Sequence, residues 1–195
     1  MASLAAAIAR EMGLPAHRID GLTLAARIHD VGKMGVPGDI LTKPSRLTDT
    51  EYMIVKQHVK IGYDVLKGIE FPWPIAQVVL QHHERLDGSG YPNGITGDQM
   101  LPEARILAVA DVVESMASHR PYRPARGKEE VAAELTGGRG TLYDADAVDV
   151  ALRFLERGEL HLDDVESQIP TAPPMDFSEA RARDNTSATE QKTEI

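Results

Sequence analysis

Apolar periodicity is the strongest constraint on this chain. Hydrophobic residues recur at three- and four-residue spacing almost throughout, with no long run of alternating β-branched residues, so an all-α fold is expected. Glycines and prolines divide the pattern. A first helix is predicted from Ala2 to Met12, stopped by Gly13 and Pro15, and a second from Ala16 to Val31, ending near Gly32. Gly35, Pro37, Gly38 and Pro44 predict a loop. Thr48 and Glu51 have capping-box spacing and open a helix to about Lys67. Pro74 suits the first turn of a helix that carries Ile75, Val78, Val79 and Leu80 into His82 and His83. Arg85 to Gly97 holds four glycines and a proline and reads as an irregular loop. Pro102 begins an apolar helix through Met116, and two further helices are predicted at Lys128 to Leu135 and Asp144 to Arg157. From Asp163 the composition turns to eight acidic against three basic residues. A domain over residues 1–162 and an acidic tail over 163–195 follow, with Thr171 to Ile195 expected to be disordered.

Composition narrows the chemistry. With no cysteine, thiolate zinc fingers, iron–sulfur clusters, disulfides and cysteine nucleophiles are excluded, and any metal must sit on histidine and carboxylate. Thirty acidic against 21 basic residues give a net charge of −9, which argues against a nucleic-acid polymer as partner. There is no glycine-rich phosphate loop, no apolar stretch of membrane-spanning length and no signal-peptide core, so a cytoplasmic location is expected.

The histidines cluster. His29 with Asp30 ends one helix, His58 lies in the next, His82 with His83 ends another, and Asp111 interrupts an otherwise apolar fourth. Adjacent helical residues diverge by about 100° around the axis, so such a pair serves two neighbouring ions more easily than one. Imidazole and carboxylate without sulfur suit iron, manganese, zinc or nickel. A pair of ions about 3.5–4 Å apart can hold a bridging hydroxide and clamp a phosphate ester undergoing in-line attack. Blander readings exist: a histidine at a helix C-terminus favours the dipole, and a lone histidine such as His17 or His161 is ordinarily a surface or core residue. Asp111 resists that reading, because a buried carboxylate needs a cation or donors.

The strings HDVGK (His29 to Lys33), HVKIG (His58 to Gly62), HHERLDGSGYPNG (His82 to Gly94) and ARILAVADVVESMASHRPYRPA (Ala104 to Ala125) resemble the HD-GYP family, a branch of the HD-domain metal-dependent phosphohydrolases. The resemblance covers roughly residues 4 to 157 in family order. It implies a helical bundle around a two- or three-metal site, usually iron or manganese, that hydrolyses cyclic di-GMP to pGpG, GMP or both through a metal-bridging hydroxide. It further implies that His29, Asp30, His58, His82, His83 and Asp111 are metal ligands, with Asp30 bridging and catalytic, and that Lys33 holds the scissile phosphate. Tyr91, Arg120 and Arg123 would contact the nucleotide, while Glu84, Arg85 and Asp87 would support the loop.

One departure bears on metal count. Family members usually carry further ligands on a longer first helix, whereas no histidine precedes His17 here, so two divalent ions are expected rather than three. Met1 falling inside that helix implies a piece of a longer protein with an N-terminal sensory module, and a homodimer stays open. Two other classes remain: a cyclic di-GMP-binding signalling module with weak or no activity, and an HD phosphohydrolase acting on another cyclic dinucleotide or nucleotide.

Overall fold

A computed structural model of the chain describes residues 1–118 and 126–158. Arg120, Arg123 and the segment read as an acidic tail lie outside the described residues. Among the described residues the chain forms nine α-helices, two 3-10 turns and two isolated β-bridges, with no strand. In chain order these are α1 (Ala2–Glu11), α2 (Ala16–Ile28), α3 (Gly38–Leu41), α4 (Asp49–Lys56), α5 (His58–Leu66), α6 (Ile75–Gln81), α7 (Pro102–Ala117), α8 (Lys128–Gly138) and α9 (Ala145–Arg157). The 3-10 turns span Val31–Gly35 and Gly97–Gln99.

Helix α7 is the axis of the core. Its apolar residues Ile106, Leu107, Val109, Ala110 and Val113 are buried on more than one face, the pattern of a helix enclosed by neighbours. Helices α1, α2, α6, α8 and α9 all pack on it. Ile8 and Leu22 from α1 and α2, Ile75 and Val79 from α6, and Val148 and Ala151 from α9 join its buried cluster. Helix α9 is bounded by its own chemistry: the Asp144 carboxylate accepts from the amides of Asp146 and Ala147, and Gly158 leaves it in a left-handed conformation.

Several boundaries differ from the periodic reading, each for a local reason. Helix α2 stops at Ile28, because the His29 ring donates to the Ala26 carbonyl that a continuing helix would offer to residue 30. The expected helix from Thr48 to Lys67 is two helices. Its capping box forms, with Thr48 and Glu51 bonding each other's backbone amides, but the Gln57 amide bonds Ile54 three residues back and tightens the turn between α4 and α5. The predicted loop over residues 35–44 contains α3, for which Pro37 stands as the cap rather than as a breaker. Pro74 likewise caps α6 instead of occupying its first turn. Helix α8 runs past Leu135 to Gly138, where the missing side chain admits the Tyr143 ring.

One contact registers the site. A Cβ placed on Gly32 would meet the His58 carbonyl oxygen at 1.9 Å and the Gly62 amide nitrogen at 2.5 Å. The backbone of the first 3-10 turn therefore lies directly on α5, at the glycines of HDVGK and HVKIG. Gly32→Ala must push these two segments apart. It should destabilise the protein by about 1–3 kcal/mol, as overpacking does, and lower Tm by several degrees. An unchanged Tm in differential scanning calorimetry would contradict this packing.

Candidate metal centre

Three histidines are aimed by the same device. His29, His58 and His82 each stand where a helix ends or tightens, and each Nδ1 lies 2.6–2.8 Å from the carbonyl three residues earlier: Ala26, Val55 and Val79. A carbonyl only accepts, so Nδ1 carries a proton in all three, and in the neutral rings His58 and His82 the Nε2 lone pair is left free. Nε2 of His58 and of His82 is buried with no hydrogen-bond partner. Buried unpartnered polar atoms are costly and rare in native interiors, and a divalent ion is a natural partner for a converging set of imidazole lone pairs.

The donors converge from four parts of the fold. His58, His82 and His83 have ligand atoms within 4.8 Å of one another, as do His29, Asp30 and His82. Asp30 lies between the two sets: its Oδ1 is 3.4 Å from His58 Nε2 and its Oδ2 is 3.3 Å from His29 Nε2. Asp111, from the middle of α7, sits 3.8 Å from His29 Nε2 through one oxygen and 3.7 Å from His83 Nδ1 through the other. All six histidine and aspartate candidates thus come together, and the donor set fits divalent ions bound through nitrogen and oxygen.

The electrostatics divide along the same lines. Burial depresses the pKa values of His58, His82 and His83, with His82 held down to about 3, so these rings are neutral near pH 7. His29 is the exception: burial opposes its charge, but Asp30 outweighs burial and raises it. Burial also opposes the Asp30 charge, yet His29 and Lys33 hold that carboxyl far below the usual range. Burial raises Asp111. Lys33 Nζ donates to Asp30 Oδ2 at 2.5 Å, so the residue expected to hold phosphate rests against the central carboxylate.

The glycine-rich loop closes one side. A Cβ on Gly90 would meet the Arg85 amide nitrogen and Glu84 Cα, each at 2.4 Å, so only glycine lets the loop fold back on the histidine pair. Gly88 and Gly94 supply its positive-φ positions. Buried Glu84 accepts the Asn93 amide at 2.7 Å, the Asp87 carboxylate accepts from the Ser89 amide and hydroxyl, and the Tyr91 amide bonds the His83 carbonyl. Tyr91 stacks on His83, with ring centroids 4.8 Å apart and planes at 28°. Two residues absent from the sequence reading adjoin it: Lys56 Nζ lies 4.8 Å from the Tyr91 ring centroid and 4.8 Å from that of Tyr52. Their four-residue spacing signals a shared helix face, but nothing in the sequence places that face beside Tyr91.

Comparison with known proteins agrees with this geometry. The HD domain family matches residues 1–147. The cyclic di-GMP phosphodiesterase response regulator RpfG of Xanthomonas campestris is 40% identical over 174 residues, covering 88% of this chain and 45% of its own. The 3′3′-cGAMP-specific phosphodiesterase 1 of Vibrio cholerae is 34% identical over 157 residues, covering 78% of this chain and 36% of its own. The chain therefore spans less than half the length of these relatives. Among solved structures, Bd1817, an HDG"Y"P protein from Bdellovibrio bacteriovorus, superposes with a TM-score of 0.67 at 20% identity over 80% of this chain and 50% of its own, a likeness of fold. With its motifs gathered into one histidine–aspartate cluster and the family match spanning residues 1–147, the chain belongs to the HD-domain family, in its HD-GYP branch.

Proposed function

We propose that this chain is a metal-dependent phosphodiesterase that hydrolyses cyclic di-GMP to pGpG, GMP or both. The observation that carries the reading is the convergence of four histidines and two aspartates, two of the imidazoles buried with an unpartnered Nε2, beside a lysine held on the central carboxylate. The named activities of the relatives support a cyclic dinucleotide as substrate. In this reading His29 and Asp111 serve one divalent ion and His58, His82 and His83 a second, with Asp30 shared, and iron or manganese is the proposed metal. Bound there, the ions would lower the pKa of a water and neutralise charge on the nonbridging phosphate oxygens.

The protein groups prepare that chemistry. Neutral His58, His82 and His83 offer lone pairs without first shedding protons, and low-pKa Asp30 stays ionised at any physiological pH. Lys33, about a third exposed, can turn its ammonium from Asp30 to a nonbridging oxygen as negative charge builds before the ribose 3′ oxygen leaves. Tyr91 excludes water from one face of His83 and offers a ring edge to the nucleotide. Arg120 and Arg123, which lie outside the described residues, are proposed to bind the nucleotide. A second substrate, 3′3′-cGAMP, follows from the relatives that carry that activity in their names.

Protein purified anaerobically should contain iron or manganese by elemental analysis and cleave cyclic di-GMP. If the metal-loaded, reduced protein leaves both cyclic dinucleotides intact, the reading is wrong. Asp30→Asn should lose metal and turnover together. Lys33→Ala should keep its metal while kcat falls about 10²-fold, the usual cost of removing one donor to developing oxyanion charge. A Lys33→Ala protein that purifies without metal would instead assign Lys33 to holding Asp30. Chelation should lower Tm, and re-addition of the metal should restore it, because an ion bound only by the folded state stabilises that state.

A further inference from the structure

A cyclic dinucleotide carries two phosphates in one macrocycle, and only one of them can occupy the cluster for in-line attack. The other is a second anion, which a cation of its own would favour. Lys33 belongs to the cluster through Asp30. Lys43 and Lys67 are paired with Glu51 and Asp64.

Lys56 differs from these. It is half-buried, its ammonium lies 4.8 Å from the ring centroids of both Tyr52 and Tyr91, and it forms no ion pair with a described carboxylate. Tyr91 in turn stacks on His83. The sequence of contacts Tyr52, Lys56, Tyr91, His83 leads from α4 straight to the cluster. Two aromatic faces restrict the ammonium and strip part of its water, which strengthens its attraction for an anion while leaving its charge unneutralised. Helix α4 is well placed to present it: none of its residues is buried, yet it is fixed at its start by the capping box and the Lys43–Glu51 pair.

We propose that Lys56, held between Tyr52 and Tyr91, binds the second, uncleaved phosphate of a cyclic dinucleotide, with Tyr52 as its positioning residue. This rests on the cyclic-dinucleotide reading above and extends it to the source of substrate selectivity. A lysine–phosphate contact is charge-assisted and tolerates either purine, so it selects for the doubly charged macrocycle rather than for a particular base.

The test uses the metal-loaded chain with Lys56→Met, Lys56→Arg and Tyr52→Leu. Steady-state kinetics would be measured on cyclic di-GMP, 3′3′-cGAMP and bis(p-nitrophenyl) phosphate, a diester with one phosphate. For Lys56→Met, the ratio of kcat/KM on a cyclic dinucleotide to kcat/KM on the simple diester should fall about 10- to 100-fold, the worth of one charged hydrogen bond. KM should carry most of that fall, and Kd for cyclic di-GMP by titration calorimetry should rise by the same factor. Lys56→Arg should recover most of the ratio, and Tyr52→Leu should show a smaller loss in the same direction. Wild-type cleavage of a cyclic dinucleotide with an unaltered ratio in Lys56→Met would overturn this inference alone, as would a loss shared equally by both kinds of substrate. Wild-type protein that neither binds nor cleaves a cyclic dinucleotide overturns the functional reading, and this inference with it.

Discussion

The bond from a histidine Nδ1–H to a carbonyl three residues back governs the arrangement of this protein. It recurs at His29, His58 and His82. In each case it sits at a helix boundary and puts a proton on Nδ1, and at the neutral rings His58 and His82 it leaves Nε2 as a lone pair. The same bond therefore sets a boundary of secondary structure and aims a donor. That coupling explains why the helices around the cluster are short or interrupted, whereas α7 runs 16 residues through the core.

Holding those rings in one place requires the backbones to approach closely. Gly32 against α5 and Gly90 against Glu84 are the two points where any side chain would intrude. The first brings the His29–Asp30 segment onto His58, and the second brings Tyr91 onto His83. Burial at these contacts holds three of the imidazoles neutral. The net charge of −9 is thus a poor guide to the centre. Bound cations with Lys33 and Lys56 would give it a local field suited to an anionic substrate.

Much of this was legible beforehand. The 3.6-residue periodicity specifies the all-α class, the Thr48–Glu51 capping box and the Asp144 start of α9 are both present, and the motif strings contain the six histidine and aspartate candidates that the fold brings together. Misplaced boundaries share a cause. Periodicity reports which residues face the core, and it runs unbroken through Gln57, where a backbone bond three residues back divides α4 from α5. Local pattern marks Pro37 as a breaker and Pro74 as a first-turn residue, but proline stands as readily just outside a helix, where its missing amide costs nothing.

Sequence alone determined that the chain is helical, that any metal must be held by nitrogen and oxygen, and which histidines and aspartates could hold it, because these follow from local pattern and residue chemistry. Only the tertiary structure decided that Asp30 sits between two sets of donors, that Lys33 rests on it, and that Lys56 stands between two tyrosines beside the cluster. Those facts depend on contacts between segments far apart in the chain. Such contacts are set by where backbones can touch, at Gly32 and Gly90, and no short window of sequence contains both sides of them.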